Sequence, residues 1–224
     1  MFFPLKDETP AQGKPYVAMG LIILNSLIFI AASFLSERNF RILIYQYGLI
    51  PYELVHLTEL TPKFPAPVLV TPFTSMFLHG GWMHLIGNMF FLWIFGNNIE
   101  DYLGHIKFLM FYLISGLAAI FLFVVFSPNL QVPMVGASGA VAGVLGAYFV
   151  LFPRSRILTL IWIFYYIRLV HVPAKAMLGF WFLYQLLMSA IATGSGGSIA
   201  FLAHVGGFIF GWAFFKVAAA EQKE

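Results

Sequence analysis

Three short stretches hold the polar residues that could do chemistry in an otherwise apolar chain. Gly136-Ala137-Ser138-Gly139 offers a hydroxyl, and Ala203-His204-Val205-Gly206-Gly207 an imidazole. His84 and Asn88 stand four residues apart, which puts both on one face of a helix. Ser138 falls in what reads as the first turn of a helix, where backbone amides lack partners and the positive end of the dipole lies. An oxyanion could be held there. Gly207 and Gly211 follow His204 at i+3 and i+7, while Ala142 and Gly146 follow Ser138 at i+4 and i+8. Each polar residue therefore heads a face of small residues, and two such faces allow the close helix approach that a Ser–His pair requires. Taken singly, Ser, Asn and His also serve as hydrogen-bonding glue between helices.

Other chemistries lack their residues. There is no cysteine, which excludes disulfides, thiol nucleophiles and thiolate metal sites. HExxH is absent, and His79, five residues before His84, lies off the His84–Asn88 face, so a zinc site has no support. The GxSG tetrad has Ala140 where the soluble nucleophile elbow needs glycine, and no strand precedes it. The net charge of +3 comes from single, scattered cations with no basic run, so nucleic-acid binding is not indicated.

These residues must be positioned by elements that live in lipid. Of 224 residues, 61% are hydrophobic and 9% charged, against about 45–50% and about 25% in soluble domains. Six uncharged stretches approach the ~20 residues a helix needs to cross a bilayer: 17–35, 82–99, 108–126, 134–152, 176–193 and 199–215. A seventh, 157–167, would reach only about 16 Å as a helix, and Arg154, Arg156, Arg168, His171 and Lys175 flank it. It is expected at the interface, since a lone strand would leave its backbone groups unpaired in lipid. The expected fold is all-α, a polytopic bundle of six transmembrane helices forming a single domain over 1–224. It has a short cytoplasmic segment at 1–16, a long outer loop at 36–81 and a cytoplasmic interfacial segment at 153–175. Within the outer loop, 40–50 suits a short element on the membrane surface.

With the N-terminus inside, Lys6, Lys14, Lys107, Arg154, Arg156, Arg168, Lys175, Lys216 and Lys223 are cytoplasmic, and only Arg38, Arg41 and Lys63 lie outside. Both termini are then cytoplasmic. The same topology brings Ser138, His204, His84 and Asn88 toward one side of the membrane, at a depth that water could reach through a cavity.

In this order and topology the three motifs resemble those of the rhomboid family of intramembrane serine proteases. The resemblance runs from about Tyr16 to the end and includes an acidic turn at 98–104. It implies that Ser138 is the nucleophile and His204 its general base, a dyad without a carboxylate. The Ser138 amide, His84 and Asn88 would bind the oxyanion, with Gly136, Gly139, Gly207 and Gly211 packing around the dyad. It implies no cofactor and no metal. The partners would be single-pass transmembrane substrates in the lipid bilayer, admitted beside the helix of 176–193 and a cap containing the glycine-rich link 194–198. A bacterial inner membrane is the expected location. Two departures stand out. Ala142 occupies the place where some relatives stack an aromatic ring on the catalytic histidine, so another side chain must hold His204. The Trp-Arg pair that many relatives carry ahead of the second helix is replaced by Val68-Leu69-Val70-Thr71-Pro72.

Two other functions compete. A catalytically silent relative would bind transmembrane clients for quality control, and such proteins usually lack the serine or histidine. A small transporter or channel would show broken helices, inverted repeats or midplane charges, and none is visible.

Overall fold

The computed structural model describes residues 2–60, 67–163, 165–191 and 198–221. The chain begins with strand β1 (Phe2–Asp7) and helices α1 (Tyr16–Ser33), α2 (Glu37–Tyr47), α3 (Pro51–His56) and α4 (Thr71–Thr74). Helices α5 (Trp82–Leu103), α6 (His105–Phe126) and α7 (Ser138–Leu151) follow. Strands β2 (Arg156–Ile163) and β3 (Tyr166–Pro173) lead into α8 (Ala174–Ile191) and α9 (Ser198–Glu221).

The core is organised around α7. Its sequence from Gly139 to Ala147 is only Gly, Ala, Val and Leu, so α5, α6, α8 and α9 can all pack against it. Every one of its residues from 139 to 148 is buried. Between α7 and α9 the approach is backbone to backbone. A Cβ on Gly207 would collide with the Gly139 carbonyl, one on Gly211 with the Gly143 carbonyl, and one on Gly146 with the Phe208 carbonyl. On its other side, a Cβ on Gly139 would come within 2.6 Å of Ala119 on α6. Direct helix contact of this kind lets carbonyl and Cα groups do the packing that long side chains do elsewhere.

Each of the six apolar stretches contains a helix, with ends displaced by a few residues. Three of them, α1, α6 and α8, are long and apolar enough to cross a membrane by length and composition. The apolar parts of α7 and α9 are shorter, and α5 mixes Asn88, Asn97, Asn98, Glu100 and Asp101 into its 22 residues. The stretch 134–152 is not helical throughout, because α7 starts only at Ser138.

The protein is mostly helical, yet the all-α expectation needs correcting. The segment 157–167 is not a short helix. It forms most of a β-hairpin, and with the N-terminal segment the three strands make an antiparallel sheet in the order β1-β2-β3. Ile157 pairs with both Asp7 and Val172, and Ile161 with both Phe2 and Arg168. The objection to a strand assumed that it stood alone. Here β2 has a partner on each side, so its amides and carbonyls are satisfied. The run Ile157-Leu158-Thr159-Leu160-Ile161-Trp162 is rich in the β-branched and aromatic residues that suit a strand, and Ile157 and Thr159 are buried on one face.

Two acidic residues in the last turn of α5 tie the N-terminal segment to the bundle. Glu100, 1% exposed, accepts hydrogen bonds from the Val17 and Ala18 amides at 2.9 and 2.7 Å, capping α1 from another element. Asp101 accepts from the Gln12 and Gly13 amides at 3.0 and 2.7 Å. Asn98 donates to the Thr9 carbonyl at 3.1 Å, and the Thr9 hydroxyl donates to Ser155 at 2.6 Å. At the opposite end, α2 opens on Ser36, which accepts from the Asn39 amide, and it buries no residue. That fits a surface-lying helix. An isolated antiparallel bridge between Leu49 and Met134, with bonds of 3.0 and 2.7 Å, pins the chain ahead of α7 to the outer loop.

Candidate functional site

Ser138 is the first residue of α7, following Ala137 as N-cap, so its amide has no carbonyl one turn earlier in the helix to bond. The approach to it is built by Gly136. The Gly136 amide donates to the Ser75 carbonyl at 2.9 Å, and its φ of +129° lies where side chains are rarely tolerated. Space makes the same demand: a Cβ there would sit 2.7 Å from His84 Nε2 and 3.7 Å from Asn88 Nδ2. The His84 ring thus lies directly over the turn that leads into Ser138, with Asn88 one helical turn along α5. His84 is accessible and Asn88 is buried, its Nδ2 without a hydrogen-bond partner among the described residues.

His204 stands in the second turn of α9. Its Nδ1 lies 2.8 Å from Gln185 Oε1 on α8, and its ring lies 5.8 Å from that of Trp181, inclined by 35°. A cavity of about 410 Å³ opens between α5, α7, α8 and α9, lined among others by His84, Asn88, Ser138, Trp181, Gln185 and His204. A second cavity, about 180 Å³, is also lined by Ser138 and His84 and runs along Val132 to Gly136. The structure therefore brings Ser138, His204, His84 and Asn88 to one cavity wall. Ser138 Oγ makes no hydrogen bond among the described residues. A hydroxyl at a helix N-terminus, facing an imidazole across a cavity edged by polar donors, can support nucleophilic attack on a carbonyl.

His79, just ahead of α5, meets His84 edge to face at 5.2 Å between centroids. Burial, with the nearby His84 adding repulsion, pushes its pKa down to about 4, so at neutral pH it is an uncharged wall behind His84. Among the described residues, no three His, Asp or Glu side chains are grouped to hold a metal ion.

Two residues of this wall escaped sequence reading, Trp181 and Gln185. The signal was present, since Gln185 is a lone amide within the apolar run 176–193, and a polar side chain in such a run calls for a partner. The partner, nineteen residues on in α9, was visible only once α8 and α9 were packed. Most of the glycine-rich link 194–198 lies outside the described residues.

Comparison with known proteins gives a consistent picture. The family model for the rhomboid domain matches residues 67–220. The chain is 32% identical over 163 residues to Rhomboid protein 1, mitochondrial, of Saccharomyces cerevisiae, covering 66% of this chain and 43% of that protein. RHOMBOID-like protein 6, mitochondrial, of Arabidopsis thaliana is 36% identical over 140 residues, covering 62% and 40%. Rhomboid protease GluP of Bacillus subtilis is 42% identical over 74 residues, covering 33% and 14%. The chain thus spans about two fifths of the length of the first two. Two of these three relatives carry mitochondrial names, so the expected bacterial inner membrane draws no support from them. With 67–220, more than half of its length, matched by the rhomboid model, and three helices long and apolar enough to cross a membrane, the chain is a membrane protein that belongs to the rhomboid family.

Proposed function

We propose that this protein is an intramembrane serine endopeptidase that cleaves single-pass membrane proteins in or near their transmembrane helix, using Ser138 and His204. The observation that carries the reading is the shared cavity wall: Ser138 at the start of α7, His204 across from it, and His84 and Asn88 over the Gly136 turn. In this mechanism His204 Nε2 takes the Ser138 proton as Oγ attacks the scissile carbonyl, forming the C–O bond and placing the charge on the carbonyl oxygen. The Ser138 amide, His84 and Asn88 stabilise that oxygen. Collapse breaks the C–N bond, with His204 returning the proton to the leaving amine, and water repeats the sequence on the acyl-enzyme. No metal or cofactor is required.

The topology we propose has six crossings, α1, α5, α6, α7, α8 and α9, with the cation-rich ends of the chain on one side. At 14 residues α7 rises about 21 Å, less than the ~30 Å hydrocarbon layer. Ser138 then lies below the outer surface, and the cavity supplies the water that hydrolysis needs.

The test is cleavage of tagged single-pass substrates in proteoliposomes by wild type, Ser138→Ala and His204→Ala. Cleavage by wild type alone supports the dyad, and equal cleavage by the variants refutes it. A second reading, silent binding of transmembrane clients, is favoured by one observation, that Ser138 Oγ has no hydrogen bond among the described residues. Co-purification of a client without cleavage by wild type would move that reading ahead of the protease.

A further inference from the structure

We infer that Gln185 is a positioning residue for His204, holding the imidazole with its proton on Nδ1 and its Nε2 lone pair free to face Ser138. The inference rests on the proposed protease reading and concerns how its base is oriented. A neutral imidazole has one donor and one acceptor nitrogen, and the partner of one decides the state of the other. Gln185 Oε1, 2.8 Å from Nδ1, can only accept, so Nδ1 must donate. That leaves Nε2 as the acceptor a general base needs. Gln185 is 5% exposed, in a helix whose other buried residues, Ala174 and Leu178, both lie in its first half. A buried amide is expensive without a partner, and His204 is the only side chain to which it is hydrogen-bonded among the described residues.

The surroundings explain why the task falls to α8. Ala142 lines the cavity but offers no ring to hold His204 from α7. Trp181, one turn before Gln185, provides an aromatic face instead, 5.8 Å from the imidazole and inclined by 35°. The two residues of one helix thus grip His204 by its edge and by its plane. The base is correctly presented only while the middle of α8 is seated against α9.

Steady-state cleavage by Gln185→Met and Gln185→Glu in the full chain tests this, with wild type and Ser138→Ala alongside. Methionine keeps the length and apolar fit but has no comparable acceptor. Glutamate keeps the acceptor and puts a charge in an apolar place. A residue needed only for packing would tolerate methionine and suffer from glutamate. A positioning residue should show the reverse: kcat falling at least about tenfold in Gln185→Met, within the ~10²–10⁴ that general-base catalysis contributes. KM should stay within about twofold, and Gln185→Glu should recover most of kcat. Undiminished kcat in Gln185→Met, or equal loss in both variants, overturns the inference while leaving the protease reading intact. A wild type that does not cut removes both. Should either variant melt at a markedly lower temperature, ¹⁵N spectra of histidine-labelled wild type decide the matter, with His204 assigned by its substitution. The Nδ1–H tautomer supports the inference, and the Nε2–H tautomer refutes it.

Discussion

At the residue scale, the candidate site is made of groups that each do one thing a neighbour cannot. Under the proposed mechanism His84 and Asn88 contribute hydrogen bonds to an oxygen that is charged only in transit, so their loss should slow chemistry more than binding. His84→Ala or Asn88→Ala is expected to lower kcat by about 10²–10³ with little change in KM, and steady-state kinetics on a soluble reporter peptide would check it. If either substitution instead raises KM with kcat unchanged, that residue binds substrate and does not stabilise the oxyanion. Gly136 contributes by having no side chain. Gly136→Ala would force a Cβ into the His84 ring and a strained φ, so activity should fall even where the melting temperature holds.

At the element scale, the decisive contact is between α7 and α9. Gly139, Gly143 and Gly146 meet Gly207, Phe208 and Gly211 through their backbones, which sets how far Ser138 can be from His204. Gly207→Val should push the helices apart, lowering the melting temperature in detergent and abolishing cleavage together, whereas Gly20→Ala on α1, where a Cβ meets nothing within 4 Å, should be close to neutral. The glycine spacing was readable in the sequence because a helix repeats every 3.6 residues and small residues at i+3, i+4 and i+7 declare a close face. The sheet was readable only in part: the β-branched and aromatic run at 157–162 is a local strand signal, but its pairing with residues 2–7 joins segments far apart in the chain and has no local signature.

At the scale of the whole molecule, the proposed topology can be checked directly because the chain has no cysteine of its own. A single cysteine at Arg38 should react with a membrane-impermeant maleimide on intact cells or sealed vesicles, and one at Arg154 only after permeabilisation. Labelling of both from the same side would refute the six-crossing arrangement. Stability against acid offers a further measurement. His79 is held neutral at a pKa of about 4 where an unfolded histidine titrates near 6.5, so the unfolded chain takes up its proton first as pH falls. Stability that is fully present above about pH 6.5 should drain between there and pH 4, by roughly 3 kcal/mol from this residue. The melting temperature should fall less steeply across that window in His79→Leu than in wild type, and parallel curves would show that His79 does not carry the effect.

Sequence alone determined that this chain belongs in a membrane, that six apolar segments form helices, and that Ser138, His204, His84 and Asn88 are the polar residues worth asking about. Those conclusions rest on composition, on helical period and on the cost of polar groups in lipid, all of which act within a few turns of chain. Tertiary structure decided the rest. Glu100 caps a helix that begins more than eighty residues earlier, Gly136 is needed because a ring from α5 lies over it, and Gln185 meets the one imidazole that satisfies it. Each of these depends on two segments meeting at a defined distance. Around Ser138 and His204 that distance is set by how the small faces of α7 and α9 close against each other.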